Sequence, residues 1–447
     1  MARDYNFTEG NILKALAAFT GPVLLALVMQ AMYGAVDLWV VGQFAAAADV
    51  SAVSTGSQLV MTITGLVAGL SMGATVLLGQ RIGAGDRKAA GEGMGAAICL
   101  FALVGVLLTV LMTSLSRPLA RLMQAPPEAL EPTVQYIFIC SAGALFIVAY
   151  NVLGAIFRGI GDSRTPMITV AIACVCNIAL DVAFVAGLHT GARGAALATI
   201  ISQGVSVALS LLIIRRQKLP FEFHLNMIRP NPLAMRQILR LGIPIALQDL
   251  LVSMSFLVIM AIINSLGLIA SAGMGVAERL CGFIMLVPSS FMQSMSAFVA
   301  QNVGARKLDR AKKAMRTGIL LSLSFGAVIA AFAFFRGDLL CRIFTQDAEI
   351  IRAGWDYLRA YAIDTLLVSF MFCFVGYYNG LGKTTFTMLQ GLVGAFCVRI
   401  PFSFFMSRAT ESLFLIGLAT PSSTAVQIVL CVVYWFYLRK KEPTDLN

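Results

Sequence analysis

The run MYGAVDLWVVG, residues 32–42, decides the class of this protein, because it places one carboxylate, Asp37, inside an otherwise uncharged apolar stretch. Asp37 is the only formal charge between Lys14 and Asp49. That stretch is longer than the roughly 20 apolar residues that a helix needs to cross a bilayer. A water-soluble domain would keep such a carboxylate at its surface, whereas a membrane helix would bury it.

The composition of the whole chain favours a membrane protein. Of its 447 residues, 59% are hydrophobic and 12% are charged, whereas ordinary soluble domains carry about 25% charged residues. A chain of this length can bury a large core, but this one lacks the polar residues to cover it. Its first residues, MARDYNFTEGNILK, are polar, and we expect no cleavable signal peptide.

Windows with few or no charges recur twelve times along the chain, and each predicts one membrane-spanning helix. They are residues 15–48, 50–80, 93–116, 132–157, 165–192, 194–214, 241–264, 268–305, 317–335, 360–382, 384–407 and 412–438. An even number of spans puts both termini on the same side of the membrane.

Basic residues predict which side that is. With the N-terminus inside, 23 of the 33 Lys and Arg residues lie in cytoplasmic segments, 8 lie outside, and Arg279 and Arg399 fall within spans. The positive-inside rule therefore places both termini in the cytoplasm, and we expect a multi-pass protein of the cell (inner) membrane. The net charge of +11 then reflects orientation and contact with anionic lipids of the bilayer, and no nucleic-acid binding is expected.

Two motifs repeat at one fixed distance. GQRIGA at 79–84 recurs as AQNVGA at 300–305, and RGIGDSRTP at 158–166 recurs as NGLGKTTFT at 379–387, each 221 residues later. This periodicity predicts a duplicated six-helix unit whose two copies insert in the same orientation. The predicted parts are an N-lobe of residues 1–214, a cytoplasmic linker of residues 215–240 and a C-lobe of residues 241–447.

Several of these stretches also resemble a known family. MQAMYGAVDLWVVGQF (29–44), NIALD (177–181), AQNVGARKLDRAKKA (300–314) and FCVRIP (396–401) are similar, in this order, to motifs of the multidrug and toxic compound extrusion (MATE) family. The resemblance covers nearly the whole chain, and the acidic pair of the N-lobe is similar to that of the DinF-like branch.

The resemblance implies an all-α membrane protein of the MATE/MOP-type fold, with twelve transmembrane helices in two pseudo-symmetric six-helix lobes. It also implies alternating access and export of organic cations, driven by inward flow of sodium or protons.

The residues themselves indicate where a cation would bind. An Asp at the centre of a spanning helix costs about 3 kcal/mol, so it indicates function by default. On the first predicted helix Gln30, Tyr33 and Asp37 share one face, and on the fifth Asn177 and Asp181 share another.

On the sixth helix Thr199 and Gln203 are four residues apart and also share a face. If the three faces meet, two carboxylates, an amide and a hydroxyl form the all-oxygen shell that hard cations such as sodium prefer. The same two acids, close together and desolvated, could instead hold a proton. The predicted coupling site, and the metal site if the ion is sodium, consists of Asp37, Asn177, Asp181 and Thr199.

Side chains near this stripe offer apolar walls and polar contacts to an organic cation, which can also lie over an aromatic ring. The predicted substrate-binding residues are Met29, Gln30, Met32, Tyr33 and Gln203.

The C-lobe carries a second set of charges within predicted spans. Arg399 needs an anion, and Asp249, Glu278 and Asp364 are the candidates for a charge network. In the NorM-like branch the seventh and tenth helices carry acids. Asp249 and Asp364 lie in those helices, but their spacing from the neighbouring motifs differs from the family pattern.

Other classes of function are less consistent with the sequence. It contains no nucleophile motif, phosphate loop or zinc spacing, so we expect no enzyme and no cofactor, and nine scattered cysteines suggest no disulfide framework. A flippase for a lipid-linked precursor is an alternative function. Such a protein would need a basic central cavity to hold the pyrophosphate of its substrate. A sensor or scaffold would need an extramembrane domain. We expect a monomer.

Overall fold

The computed structural model describes residues 7–216, 219–221 and 223–441. Within these ranges the chain consists of helices with short connections, and it contains no β-strand. The predicted all-α class is therefore confirmed. Helices dominate because they satisfy their backbone hydrogen bonds internally, which a bilayer requires.

The helices are numbered in chain order. The first eight are α1 (Ile12–Phe44), α2 (Ala47–Gly83), α3 (Arg87–Ser114), α4 (Ser116–Leu122), α5 (Leu130–Ala142), α6 (Ala144–Ile160), α7 (Arg164–Asp181) and α8 (Gly191–Arg216). The next nine are α9 (Pro232–Asn264), α10 (Leu268–Ile284), α11 (Leu286–Gly304), α12 (Leu308–Cys341), α13 (Ala348–Gly380), α14 (Thr384–Leu392), α15 (Ile400–Ala409), α16 (Leu413–Gly417) and α17 (Ala419–Lys441).

Twelve membrane spans account for these helices in the described ranges. Eleven helical segments are long and apolar enough to cross a bilayer, and α5 with α6 forms a twelfth as a pair bent by 51°. Each predicted window overlaps one of these spans, so the prediction of twelve is confirmed.

Two helices have the lowest buried fraction among the described membrane spans. In the most apolar part of α1, and likewise of α9, 22% of the residues are buried, compared with 67% in α13. Both helices contain an internal proline, Pro22 in α1 and Pro244 in α9. Elements with few buried contacts open and move most easily, so α1 and α9 are the spans most free to change position.

The described residues form two compact units. The first comprises those of Met1–Gly10, Ala17–Ala246 and Ala300–Lys307, and the second those of Asn11–Leu16, Leu247–Val299 and Leu308–Asn447. Each unit has its own apolar core. The core of the first includes Leu78, Phe101 and Ile156, and that of the second includes Met274, Tyr357 and Ile416.

Within the first unit the ends of α2 and α11 touch through the repeated motif. A Cβ on Gly83 would overlap the Gln301 carbonyl, and a Cβ on Gly304 would overlap the Gln80 carbonyl. The Gln301 side chain also donates a hydrogen bond to the Gly159 carbonyl, at 3.0 Å. Small residues let two membrane helices approach backbone to backbone, so these glycines fix the contact.

We expect Gly83→Ala and Gly304→Ala each to destabilise the fold by about 1–3 kcal/mol, because the added methyl group forces the two backbones apart. The measurement is thermal unfolding of the purified protein. Gly65→Ala, in the open part of α2 where a Cβ meets nothing within 4 Å, is the control and should not lower the melting temperature. Equal melting temperatures for all three variants would contradict this packing.

Candidate ion-binding site

Three helices of the first unit bring four polar side chains together. Asp37 comes from α1, Asn177 and Asp181 from α7, and Thr199 from α8. All four are buried, with 4%, 0%, 0% and 9% of their surfaces exposed in that order. Asn177 and Asp181 share a face because they are one helical turn apart. The residues that the sequence predicts as a coupling site thus lie in one buried cluster.

The start of α8 is fixed by a carboxylate from another helix. Asp49, near the start of α2, accepts a hydrogen bond from the Ala192 backbone N–H at 2.9 Å. The preceding residue, Gly191, has a φ of 58°, and a Cβ there would collide with the Asp49 carboxylate. Only glycine fits both conditions without strain. This cap holds α8 against α2 and so positions Thr199, two turns further along.

Asp37 is the centre of the cluster. Thr199 Oγ1 donates a hydrogen bond to Asp37 Oδ2, at 3.0 Å. The side chains of Asp181 and Asn177 also lie beside the Asp37 carboxylate. Three residues from two other helices therefore surround one buried acid.

Most oxygens in the cluster have no hydrogen-bond donor. Within the described residues, Asp37 Oδ1, both carboxylate oxygens of Asp181 and both polar side-chain atoms of Asn177 lack a partner. A buried polar atom without a partner costs about 1–3 kcal/mol, and more if it is charged. Two facing ionised carboxylates also repel each other, and this repulsion favours a proton or a cation between them.

The chemistry of the cluster fits a hard cation or a proton. It offers carboxylate, amide and hydroxyl oxygens, the ligands preferred by ions such as sodium. The described residues contain no group of three or more His, Cys, Asp and Glu side chains that could hold a metal ion.

A change of helix geometry follows directly after Asp181. The α-helical hydrogen-bond pattern of α7 ends there, and residues Val182–Gly187 form a π-helical segment. Such wide turns are frequently found at functional sites. The sequence analysis did not predict this feature, and its residues, VAFVAG, carry no pattern that distinguishes it from an ordinary helix.

A second contact joins α1 to α8 one helical turn before Asp37. Tyr33 Oη donates a hydrogen bond to Ser202 Oγ at 2.9 Å, and Ser202 Oγ donates one to the Thr199 carbonyl at 2.8 Å. Sequence analysis missed Ser202. Its spacing of three from Thr199 is the signal that could have revealed it, since both residues lie on one face of α8.

The predicted substrate-binding residues differ in how close they lie to the acid cluster. Gln30 and Tyr33 share the Asp37 face of α1, and Gln203 Oε1 on α8 is a buried oxygen without a donor in the described residues. Met29 is half-buried. Met32 is 46% exposed and lies about 140° around the helix from Asp37 at 100° per residue. The structure therefore does not bring Met32 to the acid cluster.

The second unit contains the other predicted charges, among which Arg399 was expected to have an acidic partner. Arg399 is buried, and its Nη1 donates a hydrogen bond to Ser255 Oγ at 3.0 Å. Its guanidinium also lies 4.3 Å from the centre of the Phe256 ring. Among the described residues no carboxylate forms an ion pair with Arg399. Asp364 interacts with Arg399 electrostatically, without a hydrogen bond or an ion pair between them.

The three candidate acids differ in their surroundings, and none of them forms an ion pair with Arg399 in the described residues. Asp364 is buried on α13, where its Oδ1 accepts a hydrogen bond from Thr424 Oγ1 at 2.6 Å. Asp249 is exposed on α9, and Glu278 is half-buried on α10. Hydroxyl and aromatic partners on α9, which sequence spacing does not reveal, replace the expected carboxylate. Arg399 also ends a second π-helical segment, Val393–Arg399.

Curated relatives resemble the chain over most of its length. The probable multidrug resistance protein YpnP of Bacillus subtilis is 29% identical, over 90% of each chain. The probable multidrug resistance protein NorM of Thermotoga maritima is 27% identical, over 89% of this chain and 86% of the relative.

Solved structures share the fold. One, the outward-facing conformation of a multidrug resistance MATE family transporter of the MOP superfamily, superposes with a TM-score of 0.90 over 98% of both chains, at 23% identity. The model of the MatE family matches two successive stretches of the sequence, residues 22–183 and 244–405. These stretches cover well over half of the chain, which therefore belongs to the MatE family of membrane transporters.

Proposed function

We propose that this protein is a multidrug efflux antiporter that exports lipophilic organic cations in exchange for sodium or protons. The observation that carries the proposal is the pair of buried carboxylates, Asp37 and Asp181, whose free oxygens have no donor in the described residues. The names of the relatives, multidrug resistance and multidrug export proteins, support the substrate class. The distribution of basic residues supports a cell-membrane protein with both termini in the cytoplasm.

The coupling ion acts by cancelling charge between α1 and α7. An ion or proton that enters from outside binds at Asp37 and Asp181 and removes their repulsion. The hydrogen bond from Thr199 to Asp37 then weakens, because its acceptor shares its charge with the ion. Since α1 is among the least buried spans, a change in these few contacts is enough to shift its position and release the drug.

Binding of the drug returns the transporter to its starting state, because the drug is attracted to the same two carboxylates as the ion. A lipophilic cation near Tyr33 is attracted to the ionised pair and to the aromatic ring, which contributes about 0.5–2 kcal/mol. Ion and drug compete for one negative site, so each lowers the affinity for the other by the same factor. This competition is the basis of antiport by alternating access.

A flippase for a lipid-linked precursor is the alternative. Such a protein needs basic groups to hold a pyrophosphate. The buried guanidinium of Arg399 donates to Ser255 and lies over the Phe256 ring, although its Nε has no acceptor in the described residues. The polar cluster of the first unit is acidic, and this favours a cationic substrate.

Asp37→Asn and Asp181→Asn should each abolish gradient-driven efflux while the protein still inserts and folds. The measurement is export of a fluorescent organic cation from vesicles under an imposed sodium gradient and, separately, a proton gradient. Asp364→Asn is the matched control, a buried acid of the second unit whose amide oxygen still accepts from Thr424. It should keep the ion dependence of the wild type.

Efflux by Asp37→Asn or Asp181→Asn at the wild-type rate, with intact coupling, would remove the acid pair from the mechanism. Loss of coupling in Asp364→Asn alone would move the coupling site to the second unit.

Equilibrium binding of a fluorescent organic cation to the purified transporter should weaken when either the coupling ion is added or the proton concentration rises. The reason is that both neutralise the same carboxylates. Titrations with sodium and with pH, each repeated with Asp181→Asn, measure the effect, and the variant should show a smaller dependence. Binding that strengthens with both ions, or a preference for anionic dyes, would instead support the flippase.

A further inference from the structure

A large apolar cavity lies in the first unit, away from the acid cluster. Its volume is about 970 Å³, and it is bounded by α3, α6, α8 and the residues that follow α8. Ile98, Phe101, Phe146, Leu211 and Phe221 are typical of its lining. None of the four residues of the candidate ion site contributes to it. The cavity is at the upper end of the range that takes drug-sized molecules.

The mouth of this cavity opens between spanning helices. Phe146 on α6 and Leu211 and Leu212 on α8 line it and are 43%, 47% and 49% exposed. At membrane depth, such exposed apolar side chains face lipid hydrocarbon. The side chains that line an unfilled apolar space lose dispersion contacts. In a bilayer, a lipid acyl chain is the apolar group available to restore these contacts.

A single charged residue marks one end of the cavity. Arg215, in the last turn of α8, is the only charged side chain among the described residues that line it. It is exposed and forms no hydrogen bond or ion pair with the described part of the chain. A guanidinium presents its N–H groups in a fork that matches phosphate oxygens. The cavity thus combines an acyl-chain channel with a phosphate anchor at the membrane surface.

We propose that this cavity binds one anionic phospholipid from the leaflet on the linker side, with an acyl chain inside and the phosphate on Arg215. Basic pockets between spanning helices are known to select lipid headgroups in this way. A lipophilic cation is a poorer occupant, because Arg215 would repel it. The proposal does not depend on ion coupling, so it can fail while the antiport mechanism stands.

The test uses the full-length transporter, purified and exchanged into either phosphatidylglycerol or phosphatidylcholine, with retained lipid counted by native mass spectrometry. The wild type should retain one phosphatidylglycerol with about fivefold preference, the factor expected from one basic group near the membrane surface. Arg215→Ala should lose the preference. Arg216→Ala, an adjacent exposed arginine that does not line the cavity, should keep it.

A second pair of variants tests the acyl-chain channel. Ala102→Trp fills the cavity and should reduce retention of both lipids, whereas Leu103→Trp, next to it but outside the lining, should not. Thermal unfolding checks that each variant is folded. Equal loss in Arg215→Ala and Arg216→Ala would overturn the proposal, as would full retention by folded Ala102→Trp. Displacement of the lipid by soluble glycerol phosphate would also contradict the proposal, because the acyl chain would then contribute nothing to binding.

Discussion

The close approach of two buried carboxylates, Asp37 and Asp181, is the constraint on which the rest of the first unit depends. An acid at the centre of a spanning helix already costs about 3 kcal/mol. Two that face each other add repulsion, and three of their four oxygens have no donor in the described residues. Thr199 donates to Asp37 and offsets part of this cost. In the proposed mechanism, the remaining cost favours the binding of a coupling ion.

In the proposed mechanism, the same pair links ion binding to movement of α1. α1 is among the least buried spans, and two side-chain hydrogen bonds, from Tyr33 to Ser202 and from Thr199 to Asp37, join it to α8. Each bond contributes only about 1 kcal/mol. In the proposed mechanism, these two weak hydrogen bonds let a change of one charge shift α1 relative to α8. The π-helical segment after Asp181 adds a second point at which the backbone departs from a regular helix.

Sequence alone predicted the features that follow from periodicity and composition. The twelve spans follow from apolar runs, and the shared faces of Asp37 with Tyr33 and of Asn177 with Asp181 follow from helical spacing. Features that depend on packing between helices were not predicted. Examples are the Ser202 contact, the π-helical segment and the partners of Arg399, a hydroxyl and an aromatic ring. A buried arginine was expected to need a carboxylate, but neutral acceptors and the π-face of an aromatic ring can also contact its guanidinium.

The most direct test of the account is the melting temperature of the purified wild type and of Asp181→Asn, measured as a function of sodium concentration and of pH. A ligand that binds only the folded state raises stability in proportion to the logarithm of its concentration. The account predicts that the wild type responds to sodium or to protons. Asp181→Asn should melt higher than the wild type without added ions, because its amide supplies Asp37 with a donor, and it should lose the response. A variant that keeps the full wild-type response would contradict the claim that these two carboxylates hold the coupling ion.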